Sequence, residues 1–168
     1  MSTVPKSRRT IARTEYVYNA AQLFSFTLDC VMKLPKRWTF LLSERTVDAA
    51  AHVLEHAKSA NSIYVTCAID AQLRHAHLQE AYCAAQVLSS YVDEIYHRVP
   101  VRADGKACIS EHLYLAWVES IDREFTLLKG VMHADRKKWS SYLEEAPAIP
   151  EAGAQLSFIH FIQSSDGE

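Results

Sequence analysis

The stretch that decides the fold is Leu78-Gln79-Glu80-Ala81-Tyr82-Cys83-Ala84-Ala85-Gln86-Val87-Leu88-Ser89-Ser90-Tyr91-Val92-Asp93-Glu94-Ile95. Leu78, Ala81, Ala85, Leu88, Val92 and Ile95 step by 3, 4, 3, 4 and 3 residues. That spacing puts one apolar stripe along one face of an α-helix and is the seam pattern of a helical bundle. The helix is expected to run from about Thr66 or Asp70 to about Arg98, where Pro100 ends it. Arg102 to Lys106, with Gly105, reads as a turn.

Working outward, neither Gly nor Pro occurs between Lys36 and Val99 or between Lys106 and Lys129, while the chain carries 22 Ala. An antiparallel β fold would need turn residues every 8 to 12 positions, roughly. Nucleotide-binding α/β folds need glycine loops, and neither G-x-G-x-x-G nor G-x-x-x-x-G-K occurs. The composition therefore predicts an all-α protein. Its 168 residues suffice for one domain with a real core.

Three more amphipathic segments flank the first. Thr14 can cap a helix whose stripe is Tyr16, Ala20, Leu23, Thr27, Cys30/Val31 and Leu34, stopped by Pro35. A second begins near Lys36 to Trp38, with Ser43, Val47, Ala50, Val53/Leu54 and Ala57 on its core face. The β-branched and aromatic run Ser62-Ile63-Tyr64-Val65-Thr66 breaks it near Asn61. Without that break, Lys36 to Val99 would form one rod of roughly 95 Å. Ser110 caps the last helix, with Leu113/Tyr114, Trp117/Val118, Ile121, Phe125, Leu128 and Val131 as its stripe and Gly130 as a cap or an interruption. Four such helices with short connections predict an antiparallel up-down-up-down four-helix bundle. The expected organisation is a basic arm over 1–13, the bundle over 14–134, and a basic patch followed by an acidic, Pro-containing tail over 135–168.

The net charge of -2 hides that polarity. Lys6, Arg8, Arg9 and Arg13 come before any acid, and Glu144, Glu145, Glu151, Asp166 and Glu168 follow the last base. Lys36 and Arg37 adjoin Trp38, and Arg136, Lys137 and Lys138 adjoin Trp139. Cations beside an aromatic ring suit phosphate contact with base stacking, so these nine basic residues are the candidate nucleic-acid contacts. Their alternative role is ordinary solvated surface and helix C-terminal charge.

Enzyme signals are sparse. His52-Val53-Leu54-Glu55-His56 matches the inverted zinc-protease pattern H-x-x-E-H. On a helical wheel, however, His52 and His56 fall opposite the core stripe with Arg45 and Ser59, which makes them weak metal candidates. Glu94-Ile95-Tyr96-His97 is a single E-x-x-H motif, where a di-iron bundle needs two. His75 and His77 point to nearly opposite faces. Cys30, Cys67, Cys83 and Cys108 form no C-x-x-C pair and read as small core hydrophobes in a reduced, cytoplasmic setting. No catalytic residue, cofactor or membrane span is expected.

Leu34-Pro35-Lys36-Arg37-Trp38-Thr39-Phe40-Leu41-Leu42, the Ala60-Asn61 helix end and Leu127-Leu128-Lys129-Gly130-Val131 carry a resemblance over about residues 14–134. The chain resembles the small four-helix-bundle family of rRNA intervening-sequence proteins and of the accessory variability determinant (Avd) of diversity-generating retroelements. The resemblance implies a non-enzymatic, RNA-binding homo-oligomer, a pentamer in the retroelement relatives. Its partners would be a reverse transcriptase and its template RNA, in support of mutagenic cDNA synthesis. This chain departs from the family in its near-neutral charge and acidic extension. Two other readings stand beside it. One is an oligomeric interaction scaffold of mobile-element or phage origin that binds no nucleic acid. The other is a metal-dependent hydrolase acting through His52, Glu55 and His56. Surplus apolar residues on the first and last helices (Phe24, Phe26, Leu115 and Trp117) are expected to form an interface between copies.

Deleting residues 147–168 is expected to leave thermal unfolding cooperative, because every apolar stripe lies before Ala146. Loss of the cooperative transition would put the tail in the core.

Overall fold

The computed structural model describes residues 6–99 and 107–144, with side chains over 14–99 and 107–142. All regular structure among the described residues is helical. The elements are α1 (Lys6–Val31), α2 (Lys36–Trp38), a π-helical segment (Thr39–Ser43), α3 (Glu44–Ser62), α4 (Ala68–Arg98), α5 (Glu111–Lys138) and α6 (Ser140–Glu144). The long helices close a ring of contacts: α1 packs on α3 and α5, and α4 packs on the same two.

The core has two layers, and each draws on all four long helices. One gathers Leu23 and Cys30 of α1, Ala49 and Ala50 of α3, Leu88, Val92 and Ile95 of α4, and Trp117 and Ile121 of α5; Leu34 and Ile109 close its end. The other gathers Tyr16 and Ala20 with Val53, Ala57, Ala60, Leu78, Ala81, Ala85 and Leu128. Alanines on the facing sides of α3 and α4 let the two backbones approach closely.

All six stripe residues of α4 are buried, as are Tyr16, Ala20, Leu23, Thr27, Cys30, Val31 and Leu34. The α3–α4 break falls in the β-branched run, and the Ser110 hydroxyl accepts a hydrogen bond from the Leu113 N–H at 3.3 Å. Cys67 N–H and both donors of Thr66 reach Asp70 Oδ2 at the start of α4, and these bonds hold the Asp70 carboxyl below its ordinary value, the Thr66 hydroxyl foremost.

Several expectations are corrected. Thr14 is not a cap: it lies inside α1, which already includes Lys6, because Lys6 to Arg13 are ordinary helix formers with no breaker among them. Gly130 neither caps nor interrupts α5, which continues to Lys138; it sits on the exposed side, where an added Cβ would meet nothing within 4 Å. On α3, Val47 and Leu54 are only half-buried, and Thr46, Ala49 and Ala60 join the core in their place. This helix faces both α1 and α4, so its core face is wider than one stripe. Trp117 is fully buried, its Nε1–H donating to Thr27 Oγ1 at 3.1 Å, and Phe26 packs edge-on against it with ring centroids 6.4 Å apart. Neither is surplus; Leu115, 56% exposed, is. Two of the four cysteines, Cys67 and Cys83, are exposed rather than core. The Arg102–Lys106 turn and the tail beyond Glu144 lie outside the described residues.

The α1–α5 contact contains a fully buried carboxyl, Glu124. Asn19 Nδ2–H donates to its Oε2 at 2.7 Å and to the Ser120 carbonyl at 3.3 Å, while Oε1 has no partner. Burial drives its pKa from 4.5 up to about 7, against the Asn19 hydrogen bond and the Arg123 charge. The folded chain therefore holds a proton that the unfolded chain has already released between those two values. The stabilisation is full below the lower value and lost as pH rises through the upper one. Thermal stability is expected to fall from about pH 5 to pH 8, and Glu124→Gln should remove up to about 3 kcal/mol of that fall. A variant whose stability falls as steeply as that of the wild type from pH 5 to pH 8 would contradict this.

Candidate nucleic-acid interface

Four of the nine candidate cations, Lys6, Arg8, Arg9 and Arg13, ride on the first turns of α1, and their side chains lie outside the described residues. Arg136, Lys137 and Lys138 form the exposed last turn of α5, where they complement its unpaired carbonyls. Lys36 and Arg37 are exposed beside Trp38, with the Arg37 guanidinium 5.8 Å from the ring centroid. They adjoin the core layer of Leu34 and Ile109, whereas Asp135, next to Arg136, is tied to Ala60 of the other layer through Arg74. The structure therefore keeps these two sets apart.

Arg74 organises the α5 end. Its Nε–H donates to Asp135 Oδ2 at 2.7 Å, and Nη1 donates to the Ala60 carbonyl. Its guanidinium lies 5.6 Å from the Trp139 ring centroid, and the Lys138 ammonium lies 4.4 Å from the same centroid. The Arg74 and Asp135 side chains are only 12% and 13% exposed. The Tyr16 hydroxyl is buried in the same neighbourhood, and burial pushes its pKa up against the pull of the Arg74 charge. Burial, then the Arg136 charge, lowers the pKa of His75, with Asp135 opposing.

Beside this cluster, α4 and α5 enclose an open groove of about 480 Å³ lined by Gln79, Glu80, Tyr82, Cys83, Lys129, Met132, His133 and Arg136. Lys129, His133 and Arg136 fall at i, i+4 and i+7, one face of α5, and the Lys129 ammonium lies 5.4 Å from the Tyr82 ring centroid. The groove thus combines cations with an aromatic ring, a donor set suited to a phosphate beside a flat base. Of these lining residues only Arg136 is among the nine candidate contacts; the i, i+4, i+7 spacing is the sequence signal for Lys129 and His133, and Tyr82, on α4, carries none.

His52 and His56 do not form a metal pair of their own. Their rings are edge-to-face with centroids 6.2 Å apart, and His56 Nδ1 instead faces His77 Nδ1 at 3.0 Å. Half-buried His56 thus belongs to the α3–α4 contact and not to the solvated face. His75 and His77 do face different neighbours, α5 and α3. Among the described residues, no group of three or more His, Cys, Asp or Glu converges on a point that could hold a metal ion. No helix among them is long and apolar enough to cross a membrane.

Compared with family models, curated proteins and solved structures, the chain has no match.

Removing one partner of a buried ion pair leaves the other charge desolvated. Asp135→Ala is therefore expected to cost about 3–5 kcal/mol in urea unfolding. Replacing both partners, as Arg74→Met with Asp135→Leu, should cost clearly less, and Arg74→Lys should not restore the wild type, because an ammonium lacks the planar fork. A single substitution within about 0.5 kcal/mol of wild type would mean that the pair is surface-like.

Proposed function

We propose that this chain is a non-enzymatic, Avd-like accessory protein of a diversity-generating retroelement. In this reading it is a cytoplasmic homo-oligomer that binds a reverse transcriptase and its template RNA in support of mutagenic cDNA synthesis. The observation that carries the nucleic-acid part is the α5 end. Arg74 and Lys138 both lie against the Trp139 ring, Arg136 and Lys137 are exposed in the same last turn, and the Lys129–His133–Arg136 groove shares Arg136 with it. With a net charge of -2, attraction to a polyanion must be local, and this is where the described cations gather beside rings.

Contact pairs support an up-down-up-down course for the long helices. Asn19 meets Glu124 while Thr27 meets Trp117, and Arg74 meets Asp135 while Asp93 meets Tyr114. His56 meets His77 and Ala60 meets Arg74. In each pair of helices the residue numbers rise on one as they fall on the other. On that course the first turns of α1, with Lys6 to Arg13, share an end with Arg136 to Lys138.

Apolar side chains at the other end favour a protein partner there. Met32, Phe40 and Leu41 are 81%, 84% and 62% exposed around the α1–α2 turn. They support self-association or reverse-transcriptase docking. They also favour the second reading, an oligomeric interaction scaffold of mobile-element or phage origin without nucleic-acid binding.

RNA titrations over a range of salt separate the two. Alanine at Arg136, Lys137 and Lys138 together, or at Arg8, Arg9 and Arg13 together, is expected to lower the salt slope of log affinity by up to about 2–3. Affinity should fall with little sequence bias. The Lys36/Arg37 pair, replaced in the same assay, tests the opposite end. If none of the three sets changes RNA affinity or slope while the protein still self-associates in light scattering, the scaffold reading replaces this one.

A further inference from the structure

The outer face of α4 is apolar where a surface helix is ordinarily polar. Ile69, Leu73, Ala76, Glu80, Cys83 and Val87 step by 4, 3, 4, 3 and 4 residues, so they share one face of the helix. All six are exposed, and they lie opposite Leu78, Ala81, Ala85 and Leu88, which are buried in the core. The stripe is about 27 Å long, and Glu80 is its one charged residue. α4 thus carries a second seam on its solvent side. We propose that this face is the docking site of the chain's own acidic tail, residues 145–168, with the apolar run over 156–162 on the stripe and the flanking carboxylates over the neighbouring cations.

Charge favours this occupant. The tail carries Glu145, Glu151, Asp166 and Glu168 and neither Lys nor Arg. Lys129, His133 and Arg136 of α5 line the groove whose other wall includes Glu80 and Cys83 of the stripe. The run Leu156-Ser157-Phe158-Ile159-His160-Phe161-Ile162 contains no acid, so it passes Glu80 without meeting a like charge. Glu151 before it and Asp166 after it are the groups that pair with the α5 cations. The same face of a second copy would bring another Glu80 and no Lys or Arg.

Position favours it as well. α6 packs on both α4 and α5, so the chain leaves Glu144 beside the two walls of the groove. Leu156 follows twelve residues later, a reach of at most about 40 Å at 3.3–3.6 Å per residue, longer than the stripe itself. Tethering holds the run at an effective concentration in roughly the millimolar range, so weak intrinsic affinity suffices for docking within one chain. A docked tail covers the groove cations and therefore competes with a polyanion for them. This competition, unlike the docking, rests on the RNA-binding reading.

Cys83, exposed on the stripe, reports the docking in the full chain without RNA. Its reaction with N-ethylmaleimide, an uncharged reagent, is followed by mass spectrometry of the digested protein. Cys67, exposed at the start of α4 and off the stripe, is the internal control. Phe158→Ser with Phe161→Ser changes no charge. It is expected to speed modification of Cys83 by about fivefold or more and that of Cys67 by less than about twofold. Leu73→Ser, on the other side of the contact, should do the same. Unchanged Cys83 reactivity in the Phe158/Phe161 variant overturns the docking. Wild-type shielding that disappears on dilution also overturns it and assigns the face to a second copy. In RNA titrations at moderate salt, the Phe158/Phe161 variant should bind more tightly by about the factor by which Cys83 is released. Released Cys83 with unchanged RNA affinity overturns the competition. Failure of both proteins to bind RNA overturns the RNA reading and the competition with it, but not the docking.

Discussion

Arg74 is a cation with little access to water, and everything at the α5 end is arranged around it. A desolvated guanidinium needs acceptors in its own plane. It finds the Asp135 carboxylate on α5 and the Ala60 carbonyl on α3. Ala60 lies in the last turn of α3, where carbonyls lack a partner further along the helix, so one side chain answers the needs of two elements. Trp139 stacks on the same cation, and the Tyr16 ring of α1 closes the layer. All four long helices thus meet through or beside one residue. The last turn of α5, with its three cations, is held in a fixed relation to the bundle.

Two polar pairs hold the α1–α5 contact in the same spirit. Thr27 takes the Trp117 N–H, and Asn19 meets Glu124. Neither contributes much net energy compared with burial of the surrounding rings, but each is satisfied in only one alignment of the helices. Sliding α1 by one turn would leave an indole N–H and a carboxyl buried without partners. Glu124 adds a dependence on pH, because its unpartnered oxygen favours the protonated form. Polar residues therefore set which helix faces meet, and apolar ones hold those faces together.

Most of the fold was legible because alternating three- and four-residue steps leave little freedom on α4 and α1. What the sequence hid has physical causes. Glu124 and Asp135 sit on the same helical face as Trp117, Ile121 and Leu128, but acids on an apolar stripe are ordinarily discounted, so their burial was missed. Thr14 has the chemistry of a cap, yet nothing in Lys6 to Arg13 stops a helix, so α1 runs through it. A wheel for α3 alone places His56 on the solvated face because it carries no information on α4 alongside; His77, on that other helix, is its partner. Among the candidate cations, spacing identified the α5 cluster, while Arg74, which orders it, carried no local sign of its role.

Hydrogen exchange of the full chain, with and without a structured RNA at moderate salt, tests most directly whether the end ordered by Arg74 is the nucleic-acid surface. The account predicts RNA-dependent protection of backbone amides in the last turns of α5, in α6 and in the first turns of α1, with the Pro35–Ser43 region unchanged. Protection confined to Pro35–Ser43, or none at the α5 end at saturating RNA, would contradict it.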